Sequence, residues 1–190
     1  MPTFYEGEPI AVVQQTLTEE EYAQAALFAD SMRAVINRKG VRAAICLTAA
    51  ALALSSVPAY LNQYATAWIP FVFAGLALLL AAYFFFTQPK RKKAHEAAVF
   101  RETHVLAESV TISVYRDSVA AESQVEQLRA YWTDYCACYE NREYIVCAGG
   151  WDRNLLILAK KNIPEERREA VSAHMQNTFA SKYRRVTSKR

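Results

Sequence analysis

A stretch of 47 residues without a single Asp, Glu, Lys or Arg is the feature of this sequence that most limits its fold. It lies between Arg42 and Lys90 of a 190-residue chain. Charged residues make up about a quarter of a typical soluble domain, so a gap of this length is not expected there. The gap therefore predicts a membrane segment, although 22% of the whole chain is charged.

The charge-free stretch contains two apolar runs, AAICLTAAALALSSVPAY at 43–60 and WIPFVFAGLALLLAAYFFFT at 68–87. Each is close to the roughly 20 residues that a helix needs to cross the hydrocarbon core. The uncharged link LNQYATA and the prolines at 58 and 70 argue against a single long helix. We therefore expect two spans that form a hairpin, at about residues 43–60 and 68–87.

The composition of the two runs bears on what the hairpin does. Transport pathways need ionisable or strongly polar groups at membrane depth, and these runs carry none, so we do not expect a transporter. Ala49/Ala53 and Ala77/Ala81 place small residues four positions apart, which is the spacing that allows helices to pack closely. In alanine-rich runs this spacing also arises by chance, so it decides neither hairpin packing nor oligomerisation.

Cations flank both predicted spans and predict their orientation, because Lys and Arg near span ends are retained in the cytosol. The seven are Arg38, Lys39, Arg42, Lys90, Arg91, Lys92 and Lys93, and the link between the spans has none. We therefore expect a multi-pass protein of the bacterial inner (plasma) membrane with both termini in the cytoplasm. We interpret the seven cations as topology anchors that also contact anionic lipid headgroups, at about 1 kcal/mol each.

The N-terminal segment, 1–42, predicts a cytosolic strand and an amphipathic helix. We expect IAVVQQ to form a short strand that joins a sheet formed downstream. Thr18 and Glu21 have the spacing of a capping box, in which each side chain bonds a backbone N–H of the first turn. Apolar residues then recur at helical spacing, at Tyr22, Ala25, Ala26, Ala29, Met32 and Ile36.

A basic juxtamembrane linker at 88–109 precedes segment 110–190, which predicts a small cytosolic α+β domain. The runs VTISVYR, YCACYE, REYIVCA and NLLILA have the alternation or the β-branched and aromatic content of strands. Pro164, followed by two acids, begins a helix. Its expected buried face comprises Ala170, Val171, His174, Met175, Thr178 and Phe179. The predicted fold is a two-span transmembrane helical hairpin plus a cytosolic α+β domain of antiparallel strands followed by a C-terminal helix.

The order of these features resembles the YcxB-like family of bacterial membrane proteins. The resemblance covers nearly the whole chain and is carried by LTEEEYAQA, SVYRDSVAAES, AYWTDYCACYENREYIVCAG and LLILAKKNIPEERREAVSAHM. The chain departs from the family pattern at Ala159-Lys160, where Pro-Lys is usual, and at Asp117-Ser118, where Asp-Gly is usual. The resemblance implies two spans and a cytosolic domain similar in outline to pleckstrin-homology-like sheets. It implies no activity, since the function of the family is largely unknown.

Three cysteines of the soluble part are the main candidates for chemistry. Cys136 and Cys138 lie two apart in a predicted strand, so we expect them to share a face and, with Cys147, to fill the core. A structural zinc site needs four ligands, and no fourth ligand lies nearby in the sequence. We therefore expect no metal and no cofactor, and reduced thiols on the cytosolic side.

The sequence does not predict an enzyme. Cys–His catalysis would need His95, His104 or His174 beside a thiol, and His174 lies on the apolar stripe of the last helix. The chain has neither G-x-S-x-G nor H-E-x-x-H, and its five glycines leave little for a nucleotide-binding loop. We expect no catalytic residues; a hydrolase that uses Cys136, Cys138 or His174 is the remaining alternative in this class.

Aromatic residues crowd the predicted sheet beside several arginines. They are Tyr131, Trp132, Tyr135, Tyr139, Tyr144 and Trp151, interleaved with Arg129, Arg142 and Arg153. Such a pattern can stack on nucleobases, but packing in a sheet core explains it more simply. We therefore expect no nucleic-acid partner.

The sequence thus favours a non-enzymatic membrane protein whose cytosolic domain is an interaction module for a protein partner or for self-association. The alternative is a membrane-surface sensor that binds anionic lipid or a small ligand through a basic face. That face would consist of the cations that follow the second span and those of the tail KYRRVTSKR.

Overall fold

The computed structural model describes residues 7–149 and 155–186, and for Lys39 and Val105 it describes the backbone alone. Contacts divide the chain into two units. Residues 1–29 and 96–190 form one, here called the folded unit, and residues 30–95 form the other, here called the hairpin unit. The sequence-based divisions fell elsewhere, after residues 42, 87 and 109. The difference arises because most of the first helix and the chain from residue 96 onward pack with the sheets.

Within the described residues, the folded unit is built on eight strands in two sheets. The strands are β1 (Ala11–Gln15), β2 (Val110–Val114), β3 (Ser118–Glu122), β4 (Gln127–Tyr131), β5 (Tyr135–Glu140), β6 (Tyr144–Gly149), β7 (Leu155–Ala159) and β8 (Tyr183–Arg185). The first sheet has the order β1-β2-β3-β4 and is antiparallel throughout. The second has the order β7-β6-β5-β8, in which only β8 runs parallel to its neighbour.

Six α-helices lie in the part of the chain that the structure describes. They are α1 (Glu19–Arg33), α2 (Lys39–Ser55), α3 (Val57–Tyr64), α4 (Trp68–Ala82), α5 (Gln88–Glu102) and α6 (Glu165–Phe179). A five-residue π-helical turn, Tyr83–Thr87, joins α4 to α5 without a break. A 3₁₀ turn, His104–Ala107, leads from α5 to β2. Most of the predicted linker 88–109 is therefore helical.

Strand β1 belongs to the same sheet as the strands that follow the hairpin unit, which confirms the prediction for IAVVQQ. Val13 lies opposite Ile112 and Ala11 lies opposite Val114. The strand alternates buried and exposed residues, so that Ala11, Val13 and Gln15 face the core and Val12 is 48% exposed. The two-residue period of a strand explains this alternation.

The side chain of Gln15 joins the two sheets. Its Nε2 donates to the carbonyl oxygen of Ile157 at 2.6 Å, and the backbone N–H of Ala159 donates to its Oε1 at 3.0 Å. The amide thus bonds the outer edge of β7 as the backbone of another strand would. Gln15 is 6% exposed, so water offers these two backbone groups little alternative.

The core lies between the sheets and α6. Its fully buried side chains include Val13, Val114, Val119, Ile145, Leu158, Ile163, Val171 and Met175. Trp132 contacts Phe179 edge-on, with ring centroids 6.2 Å apart. Burial on α6 is restricted to Val171, Met175 and Phe179 at a spacing of four, with His174 half-buried. The prediction was wrong for Ala170 and Thr178, which are exposed because the stripe is one residue wide in each turn.

The N-terminus of α1 has the predicted capping box. The backbone N–H of Glu21 donates to Thr18 Oγ1 at 3.3 Å, and the backbone N–H of Thr18 donates to Glu21 Oε2 at 3.1 Å. Two backbone donors that the helix itself leaves unpaired are thereby satisfied. Three acids in the first turn of α1 also suit the positive end of the helix dipole.

Two helices are long and apolar enough to cross a membrane, and they run through residues 40–64 and 68–102. The hairpin unit contains the first helix and the second as far as residue 95. The first ends later than predicted, because Pro58 lies at the start of α3, where proline is tolerated, and does not end the helix. The link between the helices is therefore only residues 65–67. Ala65 adopts a left-handed conformation there, with φ 50°.

Small residues at a heptad spacing form the contact between the two helices. Ala43 and Ala50 are buried on one helix, and Pro70, Ala74 and Ala81 on the other. Small side chains at such positions let helix backbones approach closely. Of the pair Ala49/Ala53, whose spacing left helix packing undecided, Ala49 is exposed and Ala53 is half-buried. Of Ala77/Ala81, Ala81 is buried and Ala77 half-buried.

The Gln15 bridge between the sheets gives a direct test of the fold. Gln15→Leu keeps the size of the side chain but leaves the Ile157 carbonyl and the Ala159 N–H unpaired. Since an unsatisfied buried group costs roughly 1–3 kcal/mol, we expect the free energy of unfolding to fall by about 2–4 kcal/mol. Urea unfolding of the full chain in detergent would measure it, followed by Trp132 fluorescence in a Trp68→Phe, Trp151→Phe background. The matched control is Gln14→Leu, whose position is exposed; equal losses in both variants would contradict the role of Gln15.

Candidate functional site

The juxtamembrane cations differ from one another in what they contact. The Lys92 ammonium forms an ion pair with Asp30, whose Oδ1 also accepts a hydrogen bond from Asn37 Nδ2 at 2.8 Å. Arg42 donates to the Ile36 carbonyl at 2.8 Å and to Asn37 Oδ1 at 2.9 Å. Two of the seven predicted headgroup contacts are therefore held in a network within the hairpin unit, here called the Asp30 clasp.

Lys92 and Arg91 differ in exposure on the second helix. Lys92 is half-buried, whereas Arg91 beside it is exposed. The π-helical turn, Tyr83–Thr87, lies between these two cations and the inward positions Ala74, Ala77 and Ala81 of the same helix. The Arg42 guanidinium also lies 5.8 Å from the centroid of the Phe84 ring.

The other predicted headgroup contacts lie at the surface. Arg38, Lys90, Arg91 and Lys93 are exposed, and Arg91 Nη1 lies 3.4 Å from the hydroxyl of Tyr83. The side chain of Lys39 lies outside the described residues. These exposed residues, and not Arg42 or Lys92, are the cations placed to meet an anionic surface.

The cysteines do not share one face, so that prediction was wrong. An irregularity in the pairing of β5 with β6 between Tyr135 and Ala137 shifts the alternation. As a result Cys136 is exposed while Cys138 is buried opposite Cys147, with the two Sγ atoms 3.5 Å apart. The hydrogen bond that the Cys147 thiol donates to Cys138, burial and the charge that Cys138 would carry raise the pKa of Cys147. That thiol therefore stays protonated at neutral pH and is a poor nucleophile.

His174 packs in the core and is not placed beside a thiol in the contacts of the described residues. Its ring contacts Trp132 edge-on at 6.0 Å. Burial and the nearby Arg116 lower its pKa, and a hydrogen bond to the backbone of Tyr115 and the charge of Asp117 only partly oppose this. His174 is therefore neutral at pH 7. Within the described residues, no group of three or more His, Cys, Asp or Glu side chains could hold a metal ion.

Glu140, at the end of β5, is a buried centre of polar contacts that the sequence analysis missed. It has no exposed surface. Lys160 Nζ lies 2.5 Å from its Oε1, Ser172 Oγ bonds the same oxygen at 3.2 Å, and the Tyr183 hydroxyl donates to Oε2. Arg185 Nε lies 3.4 Å from Oε1. One carboxylate thus links the residue after β7, helix α6 and strand β8.

The balance at Glu140 favours its charged form. Burial alone would raise the pKa of this carboxyl group. The hydrogen bonds from Lys160 and Tyr183 and the charges of Lys160 and Arg185 outweigh burial, so the pKa is lowered overall from 4.5. The two partners agree in direction, since burial and the hydrogen bond to Glu140 raise the pKa of Tyr183. An Asp or Glu that ends a strand of otherwise apolar pattern is the only sequence signal for such a group.

A cavity of about 180 Å³ lies between the two sheets of the folded unit. Most of its wall is apolar, formed by Leu17, Ile112, Ala121, Leu128 and Ile157 among others. Glu108 and Glu126 are the carboxylates of its lining. Oε2 of Glu108 is buried and has no hydrogen-bond partner. The cavity is thus mostly apolar, and one of its lining residues, Glu108, has a buried carboxylate oxygen without a hydrogen-bond partner.

Strand β4 is the outer strand of the first sheet, and no strand pairs with its outer edge within the described ranges. The N–H of Ser123 donates to the Glu126 carbonyl at 2.8 Å, which makes these two residues a hydrogen-bonded pair. Since bonded and non-bonded pairs alternate along antiparallel strands, Gln127 and Arg129 direct their backbone groups away from β3. Val125, in the turn before β4, is 70% exposed, and Leu128 is 42% exposed.

Comparison with known proteins identifies no relative. A scan against family models found no matching family, and a search of curated proteins found no matching protein. The candidate sites are therefore argued from this chain alone.

The contacts of Glu140 predict a loss of stability when the carboxylate is removed. Glu140→Gln leaves Lys160, whose side chain is 16% exposed, without its charged partner. Breaking a buried ion pair from one side costs about 3–5 kcal/mol, and we expect the lower end of this range because Gln keeps hydrogen-bonding capacity. Urea unfolding would measure it. Glu143→Gln, three residues away at an exposed position, is the control; an equal effect there would show that the loss is not specific to Glu140.

The same substitution tests the pH dependence of stability. Because the pKa of Glu140 in the folded chain lies below 4.5, the unfolded chain takes up the proton first as the pH falls. The stabilisation is therefore present above pH 4.5 and lost as the pH falls through the folded-state pKa. Glu140→Gln should lose less stability than the unmodified chain between neutral and acidic pH.

Proposed function

We propose that this chain is a two-span membrane protein whose folded unit is a cytosolic, non-catalytic interaction module for a protein partner, a second copy of the chain included. The observation that carries the proposal is the open edge of β4 with Val125 and Leu128 exposed beside it. An unpaired edge strand is a template for pairing with a strand of another chain. The edge of β7 differs, since Gln15 bonds its backbone there.

The exposure of the apolar helices supports the membrane location. Only 6% and 17% of their most apolar windows are buried, whereas the core helix of a soluble protein is mostly buried. Large side chains such as Leu52, Phe73, Leu79 and Phe86 are more than 60% exposed. Lipid is the surrounding that makes such a surface favourable.

Strand pairing supports the same-side placement of the two flanking segments. β1 precedes both apolar helices and β2 follows them, yet the two are hydrogen-bonded neighbours. A chain that crosses a membrane between them must cross it an even number of times. Two spans fulfil this condition, and the flanking cations favour the cytosol for both ends.

The folded unit is proposed to be non-catalytic because its potentially reactive side chains make internal contacts. Glu140 is saturated by four internal partners, Cys138 and Cys147 lie side by side in the core, and His174 is packed against Trp132. These contacts stabilise the fold. A protonated buried thiol is a poor nucleophile, and in the contacts of the described residues the His174 ring packs against Trp132 and not beside a thiol.

The fold supports a further part of the proposal. Two packed antiparallel sheets followed by one helix correspond in outline to the pleckstrin-homology-like arrangement, with the hairpin unit inserted between β1 and β2. Such folds host many unrelated functions, so the outline supports binding in general and names no ligand. Membership of the YcxB-like family stays a prediction.

A second candidate function is contact with anionic lipid. The exposure of Arg38, Lys90 and Arg91 near the ends of the apolar helices favours it. Lys92 and Arg42 contribute less than predicted, because the Asp30 clasp holds them. Among the tail cations, Arg184 and Arg185 are exposed, while Lys189 and Arg190 lie outside the described residues.

Native cysteines provide a test of the membrane topology. Cys136 is exposed in the folded unit, whereas Cys138 and Cys147 are buried. We expect a membrane-impermeant maleimide to label Cys136 in inverted vesicles but not in intact spheroplasts. Cys136→Ser should abolish this labelling, and Asn62→Cys in that background should reverse the pattern. Labelling of Cys136 in intact spheroplasts would place the folded unit outside and overturn the proposed orientation.

Photocrosslinking in native membranes tests the β4 edge. A photoreactive residue at Val125 should give one discrete product, and Arg129→Pro should reduce its yield at least tenfold because proline removes an outward N–H. Arg129→Ala, which keeps that N–H, should retain the product. A product of twice the chain mass would identify self-association. A product that persists in Arg129→Pro, or an equal product from a photoreactive residue at Val12, would contradict docking at β4.

A further inference from the structure

The cavity between the sheets has a composition that selects a class of small molecule. An apolar cavity of about 150 Å³ holds one benzene molecule, so a space of about 180 Å³ has room for a single ring or a short alkyl chain with one small substituent. Leu17, Ile112, Ala121 and Ile157 offer such a group an apolar surface. A nucleotide is too large for this space.

The polar groups of the lining residues differ in whether they already have hydrogen-bond partners. Gln15 bonds the edge of β7 through both its nitrogen and its oxygen. Ser123 Oγ accepts hydrogen bonds from the N–H groups of Val125 and Glu126 in its own turn, at 3.3 and 3.0 Å. Oε2 of Glu108, by contrast, is buried and without a partner. An unpaired buried acceptor gains more free energy from a new hydrogen bond than an exposed acceptor, which water already satisfies.

The charge of the lining is of one sign. Its described residues include the carboxylates Glu108 and Glu126 and no Lys, Arg or His. The two phenols, Tyr22 and Tyr135, stay neutral: burial and the charge of Glu96 raise the pKa of Tyr22, and burial, with smaller effects of Cys147 and Asp134, raises that of Tyr135 to about 12. A cation therefore meets attraction there and an anion meets repulsion, both strengthened by the apolar walls.

We propose that this cavity binds a small organic ammonium ion, whose apolar ring or short chain fills the space between the sheets and whose N–H donates to Glu108. A hydrogen bond in which both groups are charged is roughly twice as strong as one between neutral groups. Glu126, exposed at the rim, adds attraction to the same charge. The ligand goes beyond the protein partner proposed at β4 and does not require it.

The test compares three probes of matched size on the full chain in lipid nanodiscs: benzylamine, which is protonated at pH 7, benzyl alcohol and benzoate. Equilibrium dialysis, corrected by empty nanodiscs, would give the affinities. We expect benzylamine to bind at least tenfold more tightly than benzyl alcohol, and benzoate to bind most weakly. Glu108→Gln should reduce the affinity for benzylamine at least tenfold and leave that for benzyl alcohol unchanged.

Two further variants separate the cavity from general effects. Ala121→Leu, which fills the space, should weaken benzylamine and benzyl alcohol together, and Glu143→Gln, outside the lining, should change neither. Unfolding followed by Trp132 fluorescence verifies that each variant is folded. Equal binding of the three probes, no binding of any, or an amine preference that survives Glu108→Gln would each overturn the proposal. The β4 crosslink does not enter this readout, so either proposal can fail alone.

Discussion

The pairing of β1 with β2 is the constraint on which the rest of the structure depends. The chain leaves the first sheet at the end of β1 and returns to it at the start of β2, so residues 16–109 connect two neighbouring strands. The folded unit is therefore complete only when the chain on both sides of the hairpin unit is present. Residues 110–190 alone would lack β1, the Gln15 bridge and the edge contact of β7. Experiments on either proposal consequently need the full chain.

Two buried polar side chains, Gln15 and Glu140, then stabilise elements that backbone hydrogen bonds fix on one side only. Gln15 supplies β7 with a donor and an acceptor on its outer side. Glu140 holds the three-residue strand β8 and helix α6 through Tyr183 and Ser172. Because both groups are satisfied, their burial does not carry the cost of an unpaired polar group. Glu108 differs in this respect, since its buried Oε2 has no hydrogen-bond partner.

Local patterns in the sequence were enough for features that local physics decides. The capping box at Thr18 and the two apolar helices follow from spacing and composition within one helix. Cys136 was misplaced because a bulge in β5 breaks the two-residue period. The alanine spacing in the apolar runs left helix packing undecided, because the buried side of a helix depends on the partner helix. Gln15, Glu140 and the cavity were not predictable from spacing. The hydrogen-bond partners of the two side chains are distant in sequence: Ile157 lies 142 residues from Gln15, and Tyr183 lies 43 residues from Glu140.

The hairpin unit also affects how the β1–β2 pair can form. Closing a loop of this length costs entropy, although the cost grows only slowly with the number of residues. The packing of the two helices shortens this loop, since the Asp30 clasp joins Asp30 and Lys92 near the two ends of the hairpin unit. Because the cost depends on the logarithm of loop length, the shortening lowers it by only about 1 kcal/mol. An ion pair within the hairpin unit thus favours the pairing of two strands of the folded unit through the length of chain between them.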